Sequence, residues 1–396
     1  MNKLKLSAAI SVLAMWGAGN AMAESEPASM DLGNGVQFTP TVNLDFVHDD
    51  NVALSDEDPI ESWATILTPS FLLSAENDKS AYALGYTLST GKYQDSAEDD
   101  FTDHFLDAGA EWQFNARNQL ELSGSLADTH EKRGTGYSQG YGELLDEPLR
   151  YKEADINGLY THGTDTAKGN LELQLGKRSR NYDESELDFA DRDTTYAVGR
   201  LLTRVGSRSS FVLEARQREI AYDAPMIIGS SLDSSETDLL AGMEWRGSAM
   251  VTGSAKVGVR RKKFDEAGRD DYSTPAWEVG LRWNPLSYTV FEFGTERRFE
   301  EPRGTGDFAV VEEHSIAWGH SWADRFSTEV AYFAADTDYE GIDRDETRTG
   351  ATLGFNYEMR RWLTVEAELT TFDRESNIDG LEADRTLTTL GFRASL

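Results

Sequence analysis

From about Gln37 to the last residue, one unit recurs along the sequence. Roughly ten residues of alternating apolar and polar side chains lead to a short turn, and a second such run leads to a longer acidic loop. Val365, Ala367 and Leu369 interleave with Thr364, Glu366, Glu368 and Thr370, and Leu171, Leu173 and Leu175 interleave with Asn170, Glu172 and Gln174. A period of two sends successive side chains to opposite faces of a strand, one face in an apolar phase and the other in water. A sheet built this way to the end of the chain, with no helical stretch, must close on itself or leave an unpaired edge. The pattern predicts an all-β fold, a transmembrane antiparallel up-and-down β-barrel.

Eighteen strands are predicted, over residues 37–48, 62–74, 80–92, 103–114, 118–129, 151–161, 168–180, 192–204, 209–221, 237–246, 250–263, 274–283, 288–299, 308–322, 326–336, 346–357, 362–373 and 385–396. The alternation is least clean in 192–204 and 308–322, and a barrel without those two would have sixteen. Either number is even, which returns both chain ends to the periplasm. Tight turns such as Asn115-Ala116-Arg117-Asn118 and Asn284-Pro285-Leu286-Ser287 alternate with long acidic segments at 49–60, 181–191 and 265–273. Short turns belong on the periplasmic side of such a barrel and long loops outside.

Residues 1–23 have the form of a cleaved secretory signal: Lys3 and Lys5, an apolar run from Leu6 to Trp16, and Ala21-Met22-Ala23 before the cleavage point. The run is too short to span a bilayer. Residues 24–36 are then expected as a short periplasmic segment and 37–396 as the barrel. Losing Lys3 and Lys5 takes the 38 basic residues to 36 against 70 acidic ones, a formal charge of −34. Such a surface neutralises no phosphates, which argues against a nucleic-acid partner. The loops could hold divalent cations near lipopolysaccharide, although none has a calcium-site spacing. The absence of cysteine removes disulfides and thiolate metal sites and suits passage through an oxidising periplasm. At 39% hydrophobic residues the chain is too polar for spanning helices, and a barrel resolves this because only alternate residues touch lipid.

Aromatic side chains support the orientation. Trp112, Phe114, Trp245, Trp283, Trp322 and Tyr357 end strands at short turns, and Trp362 opens the strand after one. Indole and phenol rings favour the headgroup level, so these residues are expected as a girdle at the periplasmic rim. Register follows from the outward phases Leu239-Ala241-Met243-Trp245, Trp277-Val279-Leu281-Trp283 and Leu390-Phe392-Ala394-Leu396, which carry no charge. A slip of one residue would push Glu244 and Arg246 into lipid.

The opposite phase is polar, and a barrel of this size is wide enough for a wet lumen. Expected pore-lining residues are Arg216, Arg218, Arg246, Lys256, Arg260, Arg282 and Arg298 on one side. Asp45, Asp107, Glu111, Glu121, Asp155, Glu172, Glu329, Glu366 and Glu368 lie elsewhere around the wall. One reading is a basic wall facing an acidic one, with a field across the pore. The other is local pairing between neighbouring strands, favoured by Glu214, Glu244, Glu278, Glu292 and Glu296 inside the basic sector. The longest loop, 130–150, is rich in glycine with Tyr137 and Tyr141 between; it either folds inward to narrow the channel or stands free outside.

Catalysis is not indicated. His320 and Ser321 point to opposite faces of a strand, His48 sits beside Asp49 and Asp50 at the outer rim, and no G-x-S-x-G, H-E-x-x-H or P-loop pattern occurs. No cofactor or metal is called for.

Three stretches resemble the family of putative β-barrel porin 2: His48-Asp49-Asp50-Asn51-Val52, Asp99-Asp100-Phe101-Thr102-Asp103-His104, and Pro275 to Pro285 followed by Ser287-Tyr288-Thr289. That resemblance implies an outer-membrane conduit for export of an exopolysaccharide or capsule, with a periplasmic export partner, alongside the lipid, lipopolysaccharide and insertion machinery that any such barrel meets. The residues themselves leave open a general diffusion porin for small hydrophilic solutes and a surface scaffold or adhesin. The last residue is Leu396 where many such barrels end on an aromatic; Phe392 keeps the alternation.

Overall fold

Alternation becomes hydrogen-bonded sheet over nearly the whole chain. The protein is seen in a computed structural model that describes residues 29–395 apart from 165–166, 226–230, 249 and 267; the expected leader and Leu396 lie outside these residues. A short strand, β1 (Met30–Gly33), precedes β2 (Val36–Asp49), β3 (Ser62–Glu76), β4 (Ser80–Tyr93), β5 (Phe101–Asn115), β6 (Asn118–Glu131), β7 (Leu149–His162), β8 (Gly169–Tyr182), β9 (Arg192–Arg204) and β10 (Ser209–Tyr222). The chain continues through β11 (Ser234–Ser248), β12 (Val251–Phe264), β13 (Tyr272–Leu286), β14 (Thr289–Glu300), β15 (Phe308–Ala323), β16 (Phe326–Glu340), β17 (Arg344–Arg360), β18 (Leu363–Ser376) and β19 (Ala383–Ser395). Each of β2 to β19 pairs antiparallel with the next, and β19 returns to pair with β2, so eighteen strands close without an edge. The two least regular stretches are strands, β9 and β15, and the sixteen-strand alternative is excluded.

Register sorts the two phases as the sequence requires. Trp318, Val330, Leu353 and Leu369 stand opposite one another across β15 to β18 and form one outward row. One step along, Gly319, Glu329, Gly354 and Glu368 form the adjoining inward row. Outward residues such as Leu175, Ile156 and Val257 are among the most exposed large apolar side chains; each would gain about 1.5–3 kcal/mol on leaving water for hydrocarbon.

The apolar band does not span the full strand. On β12 the outward positions are apolar from Val251 to Val259 and then charged at Arg261 and Lys263. Eight residue steps cover roughly 27 Å of strand, or roughly 21 Å of height at the usual tilt of such barrels. Outward Asp336, Asp338, Asp345, Asp373 and Glu375 mark the same limit on β16 to β18. The barrel therefore stands above the outer leaflet as a polar collar.

At the other end β1 adds a feature not foreseen within residues 24–36. Gly33, Asn34 and Gly35 take positive φ of 88°, 56° and 79°, a tight turn that glycine and asparagine tolerate. The turn folds Met30 back opposite Phe38, below the point where β19 ends its pairing at Ser395 opposite Thr41.

Candidate channel lumen and its outer closure

Inward-facing charges on β8 to β15 are paired across strands. Arg200 of β9 contacts Glu172, Glu214 and Glu244. Arg216 takes Glu214 and Glu278, while Lys256 reaches Glu214 at 3.1 Å and Glu278 at 2.6 Å. Arg218 pairs with Glu236, Arg260 binds Asp238 through two 2.7 Å bonds, Arg282 holds Glu292, and Arg298 holds Glu296, Glu300 and Glu313. Of the two readings, the contacts fit local pairing between neighbouring strands: carboxylates standing directly opposite, as Glu172 and Glu214 do to Arg200 and Asp238 does to Arg260, neutralise the basic side chains within their own sector. Arg200 was not anticipated because it lies on one of the two irregular strands. The side chain of Arg246 lies outside the described residues.

The remaining wall is different. Asp45, Glu366 and Glu368 sit together on β2 and β18, with Arg393 of β19 at 3.1 Å from Glu366. Asp107, Glu111 and Glu121 line β5 and β6, where Gln119 donates to both glutamates at 2.8 and 2.9 Å. Among the described residues, Asp45, Glu368, Asp107, Glu111 and Glu121 make no ion pair with a basic side chain, whereas Asp155 is held by Arg178 at 3.2 Å. Glu329 of β16 is buried between Gly319 and Gly354.

On β2, β5 and β18 the accessibility of inward residues changes with height, whereas Glu214 on β10 and Glu329 on β16 are buried well below the outer mouth. Asp45, Asp107, Glu111 and Glu366, toward the periplasm, remain partly exposed. Nearer the outside, Asp49 is 1% exposed, Arg260 2% and Lys262 0%. Charged groups lining an open pore would stay wet, so the outer end of the lumen is filled.

The filling is the segment between β6 and β7. It turns inward instead of standing free, and its contacts reach far around the wall. Arg133 donates to Asp99 at 2.9 Å, to Ser96 at 2.8 Å and to the Leu145 carbonyl at 3.0 Å. Gln139 donates to Glu346 of β17 at 2.7 Å, and Arg374 of β18 donates to the Gly134 carbonyl at 3.3 Å. Gly134, at φ 74°, packs so closely on the 50–61 loop that a Cβ there would lie 1.9 Å from the Ala53 oxygen. Tyr137 inserts among Tyr151, Tyr182, Leu187 and Ala190; burial first, then the carboxylates of Glu131 and Glu301 against Arg192, pushes its phenol up to about 12.

A second cluster completes the closure on the far side: Ile220, Tyr222, Leu232, Phe264, Phe299, Phe308 and Val310, with Tyr272 against it. Glu301, just beyond β14, receives Lys262 at 2.7 Å and the Tyr222 hydroxyl. Burial opposes its ionisation, but Lys262 and Arg192 outweigh that and hold its carboxyl below the usual range.

Of the expected girdle, Trp283, Trp322, Tyr357 and Trp362 are exposed at periplasmic strand ends. Trp112 donates to the Tyr82 hydroxyl at 3.1 Å, and Trp245 lies over Gly253, which has no room for a Cβ. His320 faces outward among Trp318 and Trp322 and bonds Thr289 at 2.8 Å, while His48 bonds Glu61 at 2.7 Å.

Comparison with solved structures finds outer-membrane barrels. OccK2 (OpdF) of Pseudomonas aeruginosa superposes with a TM-score of 0.51 at 11% identity, covering 91% of this chain and 98% of that one. OpdO of the same organism gives 0.50 at 12%, covering 92% and 98%. These likenesses show the fold. No curated protein matches the sequence. The profile of one family, putative beta-barrel porin 2, matches residues 27–396. With its closed eighteen-strand wall and its apolar band, the chain belongs to that family and is a β-barrel of the Gram-negative outer membrane.

Proposed function

We propose that this barrel is a passive channel for small hydrophilic solutes, favouring cations, with an outer mouth narrowed by the 132–148 segment. The observation that carries the reading is the contrast in height on β2, β5 and β18: partly exposed carboxylates toward the periplasm, and buried charged groups beneath the inturned segment outside. The basic groups are largely compensated where they stand, so the field in the open part comes from Asp45, Glu368, Asp107, Glu111 and Glu121. A conduit for exopolysaccharide, which the family resemblance alone suggests, would require the same segment to swing clear. Deleting 134–144 and recording single channels in planar bilayers tests the reading. Conductance should rise severalfold with cation preference kept; a conductance equal to that of the full chain would refute it.

A further inference from the structure

The ladder between β13 and β14 ends early. Pairing rises from the periplasmic turn to Glu278 opposite Glu296 and stops, although β13 continues to Tyr272 and β14 to Glu300. Their other neighbours stay paired at this height, β12 with β13 as far as Lys262 opposite Tyr272, and β14 with β15 as far as Glu300 opposite Ala309. Residues 272–277 and 297–300 therefore face each other across a seam without strand pairing.

Several features suit an edge at this place. Pro275 lies in the unpaired stretch; proline offers no N–H and belongs on edges, not in the middle of a continuous wall. The Arg297 carbonyl accepts a 3.2 Å hydrogen bond from the Arg260 guanidinium, a side chain reaching over from β12. On the outside, the Arg297 guanidinium lies 5.8 Å from the Trp277 ring centre, and the Trp277 indole donates to Thr295 at 3.0 Å. Between the two strand pairs lies an apolar cluster, Phe264 and Tyr272 from the inward faces of β12 and β13 against Phe299 and Phe308 from the face of β14 and β15 that carries Arg297. At its foot is a cavity of about 300 Å³ lined by both strands, including Glu278, Gly280, Gly294 and Glu296. Phe291 and Phe293 below, and Arg297 above, put the opening at the top of the apolar band, level with the outer-leaflet headgroups.

We infer that the β13–β14 seam is a lateral window, through which the apolar part of an amphiphile passes between the lumen and the outer leaflet. Side-chain contacts hold it shut, so parting it breaks no ladder above Glu278. The aromatic cluster lines the way between the two strand pairs with apolar side chains, and Trp277 frames the exit. The inference rests on the channel reading, because the amphiphile must first reach the lumen.

The chain's lack of cysteine makes the test direct. Ala276→Cys places one thiol beside the seam, and Ala335→Cys places one on β16, where both neighbours are fully paired; both alanines face inward and are buried at 3% and 2% exposure. Each variant, reconstituted in vesicles containing a phospholipid with a maleimide headgroup, is assayed for labelling. Local opening at the seam should make Ala276→Cys react at least about tenfold faster. Equal rates would overturn the window. Should a variant fail to fold, amide exchange on the unmodified protein decides: 273–277 should exchange faster than 336–339 on β16, and equal protection overturns the window. Either negative result beside the expected conductance gain on deleting 134–144 removes the window and leaves the channel.

Discussion

Arg133→Ala isolates the latch of the outer closure. Arg133 is 2% exposed and Asp99 4%, and two of its bonds go to that carboxylate, with others to Ser96 and the Leu145 carbonyl. Truncating one partner of a buried pair leaves the other charge stranded, at a cost of about 3–5 kcal/mol. The barrel wall is untouched, so the loss falls on docking of 132–148 and moves its closed-to-open ratio by roughly two to four orders of magnitude. Single-channel records should change from a low-conductance closed pattern to long openings, with heat-modifiable gel mobility confirming a folded barrel. Arg133→Ala combined with Asp99→Asn removes the stranded charge and should recover part of the closure, giving a coupling energy by double-mutant cycle. Dwell times and conductance equal to those of the unmodified protein would refute the idea that this contact holds the mouth shut.

Neutralising Glu366 and Glu368 to glutamine should move the reversal potential in a salt gradient toward zero, whereas Arg282→Ala, which frees Glu292, should move it the other way; no change in either removes the carboxylate field. Acid should loosen the outer closure. Because the folded Glu301 carboxyl titrates below its unfolded value of about 4.3, its contribution is complete above that pH and fades as pH falls through the folded value. Protease cleavage in 301–307 should then grow as pH falls below the free carboxylate range and be absent at pH 7, and loosening on raising the pH would contradict it. Val257→Arg, outward within the apolar band, should lower barrel stability in denaturant titrations by about 2–4 kcal/mol, while Arg261→Glu in the collar should leave it nearly unchanged.

The wall was legible because its signal is local. A period of two repeated between turn residues locates β2 to β19 to within a few residues, and uncharged outward phases such as Trp277-Val279-Leu281-Trp283 pin the register. The β1 turn was also written in the chain, as Gly33-Asn34-Gly35, but four residues of strand are too few for alternation to show. Charge pairing was half legible: the carboxylates of the basic sector were visible, while the role of Arg200 depends on which residues stand opposite it. The destination of the long loop was not. Its glycines signal tight turns, yet Gln139 meets Glu346 and Gly134 meets Arg374 only because closure brings β17 and β18 around to it, more than 200 residues along the chain.

The collar separates two tasks that many membrane proteins combine. Segments that shut the mouth rest on strand ends carrying Arg261, Lys263, Asp338 and Asp373, above the level where hydrocarbon begins. Rearranging them exchanges protein contacts for water and never drags a peptide group through lipid. The outer segments can thus diverge in length and chemistry without cost to insertion, so selection on what enters and selection on staying embedded act on different parts of the same strands.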